Sequence, residues 1–154
     1  MPVFIDEKFL KLKKNDEQYA TDIFSGKDKP FSTNADFYCY CASLGKINNT
    51  KFETKKRTGI GEVKEGSFEN RNLMGVIYTI ALDERKDLNI LKDREECLKI
   101  FESYVNGGLS LVQKKSKDLS EEELFTHLMS DLREFALNNI PTEDEVTEGE
   151  LDIE

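Results

Sequence analysis

Charge disappears from the chain between Phe37 and Leu44. Phe37, Cys41 and Leu44 recur at helical spacing, and Tyr38, Cys39 and Tyr40 make the remaining faces apolar too. A helix that is apolar all round is a buried one, so this segment is expected at the centre of the core. A buried strand is the competing reading of Phe-Tyr-Cys-Tyr-Cys. A polar cap at Thr33 or Asn34, Asp36 in the first turn and the Ala-Ser-Leu-Gly exit favour the helix. Gly45 is expected as its C-terminal cap.

Other apolar stripes surround this one. Phe4, Ile5, Phe9, Leu10 and Leu12 suggest one or two short helices over residues 3–25, and the turn sequence SGKDKP at 25–30 closes them. Asn72 is a candidate cap for a helix with Leu73, Val76, Ile77, Ile80 and Ala81 on one face, and Gly75 suggests a close helix crossing there. A strand over Val76–Ile80 is the alternative. Asp93 with Glu96 reads as a capping pair before Leu98, Phe101 and Val105. Asn106-Gly107-Gly108 is expected to stop or bend that helix. Ser120 with Glu123 forms a capping box worth about 1 kcal/mol, followed by Leu124, Leu128, Leu132 and Phe135. Pro141 lies beyond the end of that helix.

Residues 46–69 carry no such stripe. Lys46, Lys51, Lys55, Lys56, Arg57 and Lys64 are spread among Gly59, Gly61 and Gly66. A basic, glycine-containing loop is expected, with a short hairpin near Ile60–Val63 as a variant. A connection of that length is either functional or mobile. The fold class that follows is mainly α, a single compact domain of about five or six helices spanning residues 1–140.

Charge changes the picture at the C-terminus. The 154-residue chain has a net charge of -9, and seven carboxylates with no Lys or Arg fall in residues 141–154. The body therefore stands near neutrality, and 141–154 reads as an acidic disordered tail. Such a tail repels nucleic acid, or occupies a basic surface on its own chain or on a partner. Acidity concentrated in a tail also argues against a stand-alone acidic mimic of nucleic acid. The absence of a long apolar run and the charged N-terminus point to a cytoplasmic protein with no membrane contact.

Candidate chemistry is sparse. Cys39, Cys41 and Cys97 are odd in number and lack redox or zinc spacing, so packing thiols are expected. His127 is the single histidine and cannot build a histidine-rich metal site. No cofactor is expected. Glu53 and Lys55 echo the end of a two-metal nuclease motif, with Asp36 as a distant third group, which makes a metal-dependent nuclease the enzymatic alternative. Lys55, Lys56 and Arg57 put three adjacent cations on the glycine-containing loop, and Arg71 offers a bidentate fork. These four are the candidate contacts to the phosphates of double-stranded DNA. No aromatic-basic interleave of the kind that binds single strands runs along the chain.

The segments ADFYCYCASLGK (35–46), FENRNLMGVIYTIAL (68–82) and CLKIFESYVNGGLSLV (97–112) resemble the small DNA phosphorothioation-associated proteins called dnd system-associated protein 4. The resemblance rests on Asp36, Ala42, Leu44 and Gly45, and on Ile80, Ala81 and Leu82. It is most specific at Phe101, Glu102, Tyr104, Asn106, Gly107, Gly108 and Leu109, with Val105 standing where the family has Ala. It implies an accessory protein of a bacterial cluster that replaces a phosphate oxygen of DNA by sulfur, or restricts unmodified DNA. It carries over no catalytic residues. The role implied is a helical, non-enzymatic adaptor or regulator whose partners are other proteins of the modification or defence complex.

Overall fold

A computed structural model describes residues 1–12, 15–117 and 119–138 of the chain. The backbone divides after residue 118, and the two parts are taken separately.

The first part is built on two helices. α3 (Asn34–Ile47) is the uncharged segment, capped by the Thr33 hydroxyl accepting from the Asp36 amide at 3.3 Å. α6 (Arg94–Ser116) packs along it, capped by Asp93, whose carboxylate accepts from the Glu96 amide at 3.1 Å. Phe37, Cys41 and Ala42 of α3 and Phe101, Val105 and Val112 of α6 are fully buried. The remaining elements dress this pair. In chain order they are α1 (Glu7–Leu10), β1 (Lys11–Leu12), β2 (Asn15–Tyr19), α2 (Ala20–Phe24), α4 (Glu65–Asn70), α5 (Met74–Arg85) and a 3-10 turn at Leu88–Lys92. β1 and β2 form a two-stranded antiparallel ribbon, with Lys11 opposite Tyr19. Aromatic contacts seal the edges: Phe24 stacks on Phe37 at 5.2 Å, and Phe68 meets Phe101 edge-on at 5.4 Å.

The second part, among the described residues, is α7 (Glu121–Asn138). Its capping box is formed in both directions. The Ser120 hydroxyl accepts from the Glu123 amide at 3.2 Å, and the Glu123 carboxylate accepts from the Ser120 amide at 3.0 Å. The expected tail at 141–154 lies outside the described residues.

The mainly α architecture agrees with the hydrophobic pattern, and several local details differ. Asn106-Gly107-Gly108 does not stop a helix, because α6 runs straight through it. Gly45 does not cap α3, which continues to Ile47 with Asn48 at its end. Both differences have one cause. A Cβ on Gly108 would overlap the Cys41 carbonyl, one on Gly107 would overlap the Thr50 carbonyl, and one on Gly45 would lie 3.0 Å from the Gly108 amide. Gly45 and Gly108 are the bare backbone on which α3 and α6 touch, and Gly107 is where the chain just beyond α3 lies against α6. Gly75, expected at a crossing, has open space around it. Asn72 does not cap α5; Leu73 stands at that position, and Asn72 takes a left-handed φ of 58°. Residues 3–25 hold two very short helices with the ribbon between them. No hairpin forms at Ile60–Val63, because Val63 exchanges backbone bonds of 2.8 and 3.0 Å with Val3.

Candidate functional site

The basic loop is an ordered strap. It leaves the end of α3 through the Thr50 amide, which donates to the Gly45 carbonyl at 2.8 Å, and then runs beside α6. The Phe52 amide donates to the Ser103 carbonyl at 3.0 Å. One helical turn further on, the Asn106 side chain, wholly buried, reads the strap and the N-terminal segment together. Its amide nitrogen donates to the Phe52 carbonyl at 2.9 Å and to the Thr54 hydroxyl at 2.8 Å. Its oxygen accepts from the Asp6 amide at 3.0 Å. Every hydrogen-bonding atom of Asn106 is thereby used, which is what makes an amide tolerable at that depth.

Asp6 completes the clamp. The residue is 3% exposed. It accepts from the Lys55 amide at 2.7 Å and the Lys56 amide at 3.1 Å on one oxygen, and from the Lys8 amide at 3.1 Å on the other. Burial alone would raise its pKa. The three amide donors, from Lys55, Lys8 and Lys56, outweigh that and hold it below the usual 3.8. The Glu7 amide returns a bond of 3.1 Å to the Lys56 carbonyl. Glu102, one turn before Asn106 on α6, accepts from the Phe4 amide at 2.9 Å. The N-terminal segment and the strap are thus stitched to α6 by three buried polar side chains.

The four candidate contacts fall in different settings. Lys55 is exposed and has no ion-pair partner among the described residues. Lys56 meets Glu7 at 2.6 Å, with both side chains largely in solvent, a pair worth little. Arg57 lies 5.0 Å above the Phe4 ring and 3.9 Å from Glu102. Arg71 is not part of the strap. It forks onto Asp36 in the first turn of α3, through bonds of 2.9 and 2.8 Å. It lines a cleft of about 550 Å³ with Thr33, Asn34, Lys64, Ser67 and Asn70.

A second charged cluster sits behind the strap. Lys51, Lys46 and the Tyr104 hydroxyl converge on Glu84 of α5. Hydrogen bonds from Lys51 and Tyr104 pull the Glu84 carboxyl down to about 2 against the cost of its burial, with Lys46 adding to the effect. The neighbouring cleft of about 600 Å³ is lined by Lys51, Glu53, Glu84, Arg85, Glu96 and Lys99, signs that largely cancel. Glu53 lines this cleft, whereas Asp36, the other carboxylate required by a nuclease, is not among its lining residues and is paired with Arg71. Among the described residues no group of three or more His, Cys, Asp or Glu is placed to hold a metal ion. The three cysteines are buried and free. Burial, aided by Asp36, pushes the Cys39 thiol up to about 12, and Cys41 and Cys97 are raised too, so none is poised as a thiolate. His127 is exposed on α7.

Asp6 escaped the sequence reading, and Glu102 and Asn106 entered it only through the family resemblance and, for Asn106, as part of a helix stop, not as the side chains that hold the strap. The available signal was polarity out of place: an Asp ending the apolar run Val3-Phe4-Ile5, and a Glu and an Asn four residues apart inside a stripe of core positions.

The family model for DNA sulphur modification system-associated protein 4 matches residues 10–148. The chain belongs to this family. Comparison with curated proteins and with solved structures gives no match. In this member of the DNA sulphur modification system-associated protein 4 family, Asn106-Gly107-Gly108-Leu109 is where α6 meets both α3 and the strap. The description of the family associates it with a DNA sulphur modification system. No helix among the described residues is long and apolar enough to cross a membrane.

Proposed function

We propose that this chain is a non-catalytic accessory or regulatory protein of a DNA sulphur modification system, acting by docking on another protein of that system. Family membership supplies the setting. The observation that carries the docking is the 3-10 turn after α5, where Leu88 is 73% exposed and Leu91 41% exposed. Leu88 also lines a cleft of about 430 Å³ with Thr79, Leu82, Asp83 and Lys86. Adjacent exposed leucines beside a cleft, rimmed by charge, fit a protein contact better than a solvent-facing surface. The non-catalytic reading is supported by the work already assigned to the buried polar groups. Asp6, Glu102, Asn106 and Gln113 all hold backbone in place.

The strap supplies a second contact, to DNA phosphates through Lys55, Lys56 and Arg57, with Arg71 contributing from its own cleft. The acidic segment at 141–154 competes for the same cations.

Co-expression with each protein of the modification system, followed by purification through a tag on the other protein, tests the docking. Retention of the wild type and loss of Leu88→Asp, with an unchanged circular dichroism spectrum, is the expected result. Failure of every component to retain the wild type overturns it. For the phosphate contact, DNA affinity is measured at 50 and 200 mM salt with the intact chain and the chain ending at Pro141. A steep salt dependence, tighter binding on truncation and weaker binding with Lys55, Lys56 and Arg57 replaced are expected.

A further inference from the structure

The linear sequence contains no alternation of aromatic and basic residues, yet the fold brings such residues together from two distant segments. The backbone amides of Lys8, Lys55 and Lys56 all donate to the carboxylate of Asp6, so the backbones of these three lysines are gathered around one buried point. All three side chains are exposed. Beside them, Phe9 of α1 and Phe52 of the strap lie with ring centres 5.2 Å apart and planes inclined by 33°. Phe9 is buried, whereas Phe52 is 41% exposed. The Lys8 ammonium stands 4.8 Å from the Phe9 centroid and 5.6 Å from that of Phe52.

The platform is rigid. The Phe52 amide and carbonyl are both engaged, by Ser103 and Asn106 of α6. The Lys8 and Lys11 carbonyls accept from the Gln113 side chain, at 2.9 and 2.5 Å. Little ordering is left to be done on binding.

From this geometry we infer that the Lys8–Phe52–Lys55–Lys56 face is a site for single-stranded nucleic acid, with a base on the exposed face of Phe52 and the flanking phosphates on the three lysines. This rests on the reading that the strap contacts phosphates, and deepens it. A duplex presents phosphates to a surface but keeps its base faces stacked inside, so it would leave Phe52 idle. An unpaired strand offers both groups within one nucleotide repeat, and every base has a π-face to offer. The Lys56–Glu7 pair, exposed on both sides, opens at little cost when a phosphate arrives. Glu7 also sets a limit, since its carboxylate disfavours a second phosphate on its side of Lys56. Arg71 is outside this face, so the site does not require it.

The test uses the full chain and fluorescent oligonucleotides, a mixed-sequence single strand and the same sequence as a duplex, at 50 mM salt. Single-strand binding at least ten-fold tighter than duplex binding is expected. Phe52→Leu keeps an apolar side chain against Phe9 and removes the π-face. It should weaken single-strand binding by about five- to a hundred-fold and leave duplex binding unchanged. Phe52→Tyr should restore it, and Lys8→Ala with Lys55→Ala should flatten its salt dependence. Unchanged thermal midpoints keep these comparisons valid. Equal affinity for both forms, insensitive to Phe52→Leu, overturns the single-strand site while leaving phosphate contact intact. No binding to either form overturns both.

Discussion

Gly108 of α6 lies directly against the Cys41 carbonyl of α3, so close that a Cβ on Gly108 would sit 2.7 Å from Cys41 Cα. The obstruction is backbone, not a side chain that can swing aside. Gly108→Ala is therefore expected to force the two central helices apart. The loss should reach or exceed the upper end of the roughly 1–3 kcal/mol that overpacking costs. Urea unfolding followed by circular dichroism measures it. A variant within about 0.5 kcal/mol of wild type would show that the helices do not meet at this point.

Gly75 is the matching control. It lies in the first turn of α5 with nothing within 4 Å of an added Cβ. Gly75→Ala removes freedom from the unfolded chain at no steric cost. It should stabilise the protein by about 0.4–1 kcal/mol in the same experiment.

These two glycines show where sequence pattern is legible and where it is not. α3 is evident because burial on all sides requires an uncharged run, and Phe37–Leu44 supplies one. The caps at Thr33, Asp93 and Ser120 are evident because donor and acceptor lie within three residues of each other. Gly107 and Gly108 mislead because local propensity treats glycine as a breaker, whereas here a partner more than fifty residues away requires it. The strap misleads for the same reason. Its bonds go to Asp6 and Asn106, so nothing local marks Thr50–Arg57 as ordered. Of the candidate site, the cations were legible as charge on a loop. Their arrangement around one buried carboxylate was not, because it depends on Lys8 and Asp6 arriving from the N-terminus.

That carboxylate gives a prediction with a pH signature. Asp6→Asn retains one acceptor oxygen and puts an NH2 against backbone donors, so it should cost about 1–3 kcal/mol at pH 7. The folded pKa of Asp6 lies below the ordinary 3.8. Its contribution is therefore complete above about pH 4 to 5 and is lost as pH falls through the folded value. Urea unfolding of wild type and variant from pH 7 downward should show the gap closing on the acid side. A gap that widens with acid would mean that burial, not the amide donors, dominates.

Ser120→Ala tests α7 by itself. It removes one half of the capping box and should cost about 1 kcal/mol of helix stability. The change should appear as hydrogen exchange at the first-turn amides of α7, with the amides of α3 unchanged. Ser120→Asp, which keeps an acceptor beside the Glu123 amide, should restore protection.

Glu84 joins more elements than any residue of the strap itself, since Lys51 of the strap, Lys46 of α3 and Tyr104 of α6 all bond this one α5 carboxylate. Its pKa of about 2 stands below the ordinary 4.5. The sign is that of a depressed acid: stability is fully present above pH 4.5 and is lost as pH falls towards about 2. Glu84→Gln keeps the size and one acceptor but removes the counter-charge of Lys51 and leaves Lys46 with Asp83 alone, at 2.8 Å. It should cost roughly 1–3 kcal/mol at pH 7 and almost nothing near pH 2. The cluster also holds the start of the strap, so the variant should loosen Lys51 and Phe52 before the rest of the fold. Hydrogen exchange at the Phe52 amide, bonded to Ser103, reads this directly. Faster exchange there at pH 6, with the α3 and α6 amides unaffected, is the expected outcome. Uniform acceleration across the fold would make Glu84 a support of the core instead of an anchor of the strap.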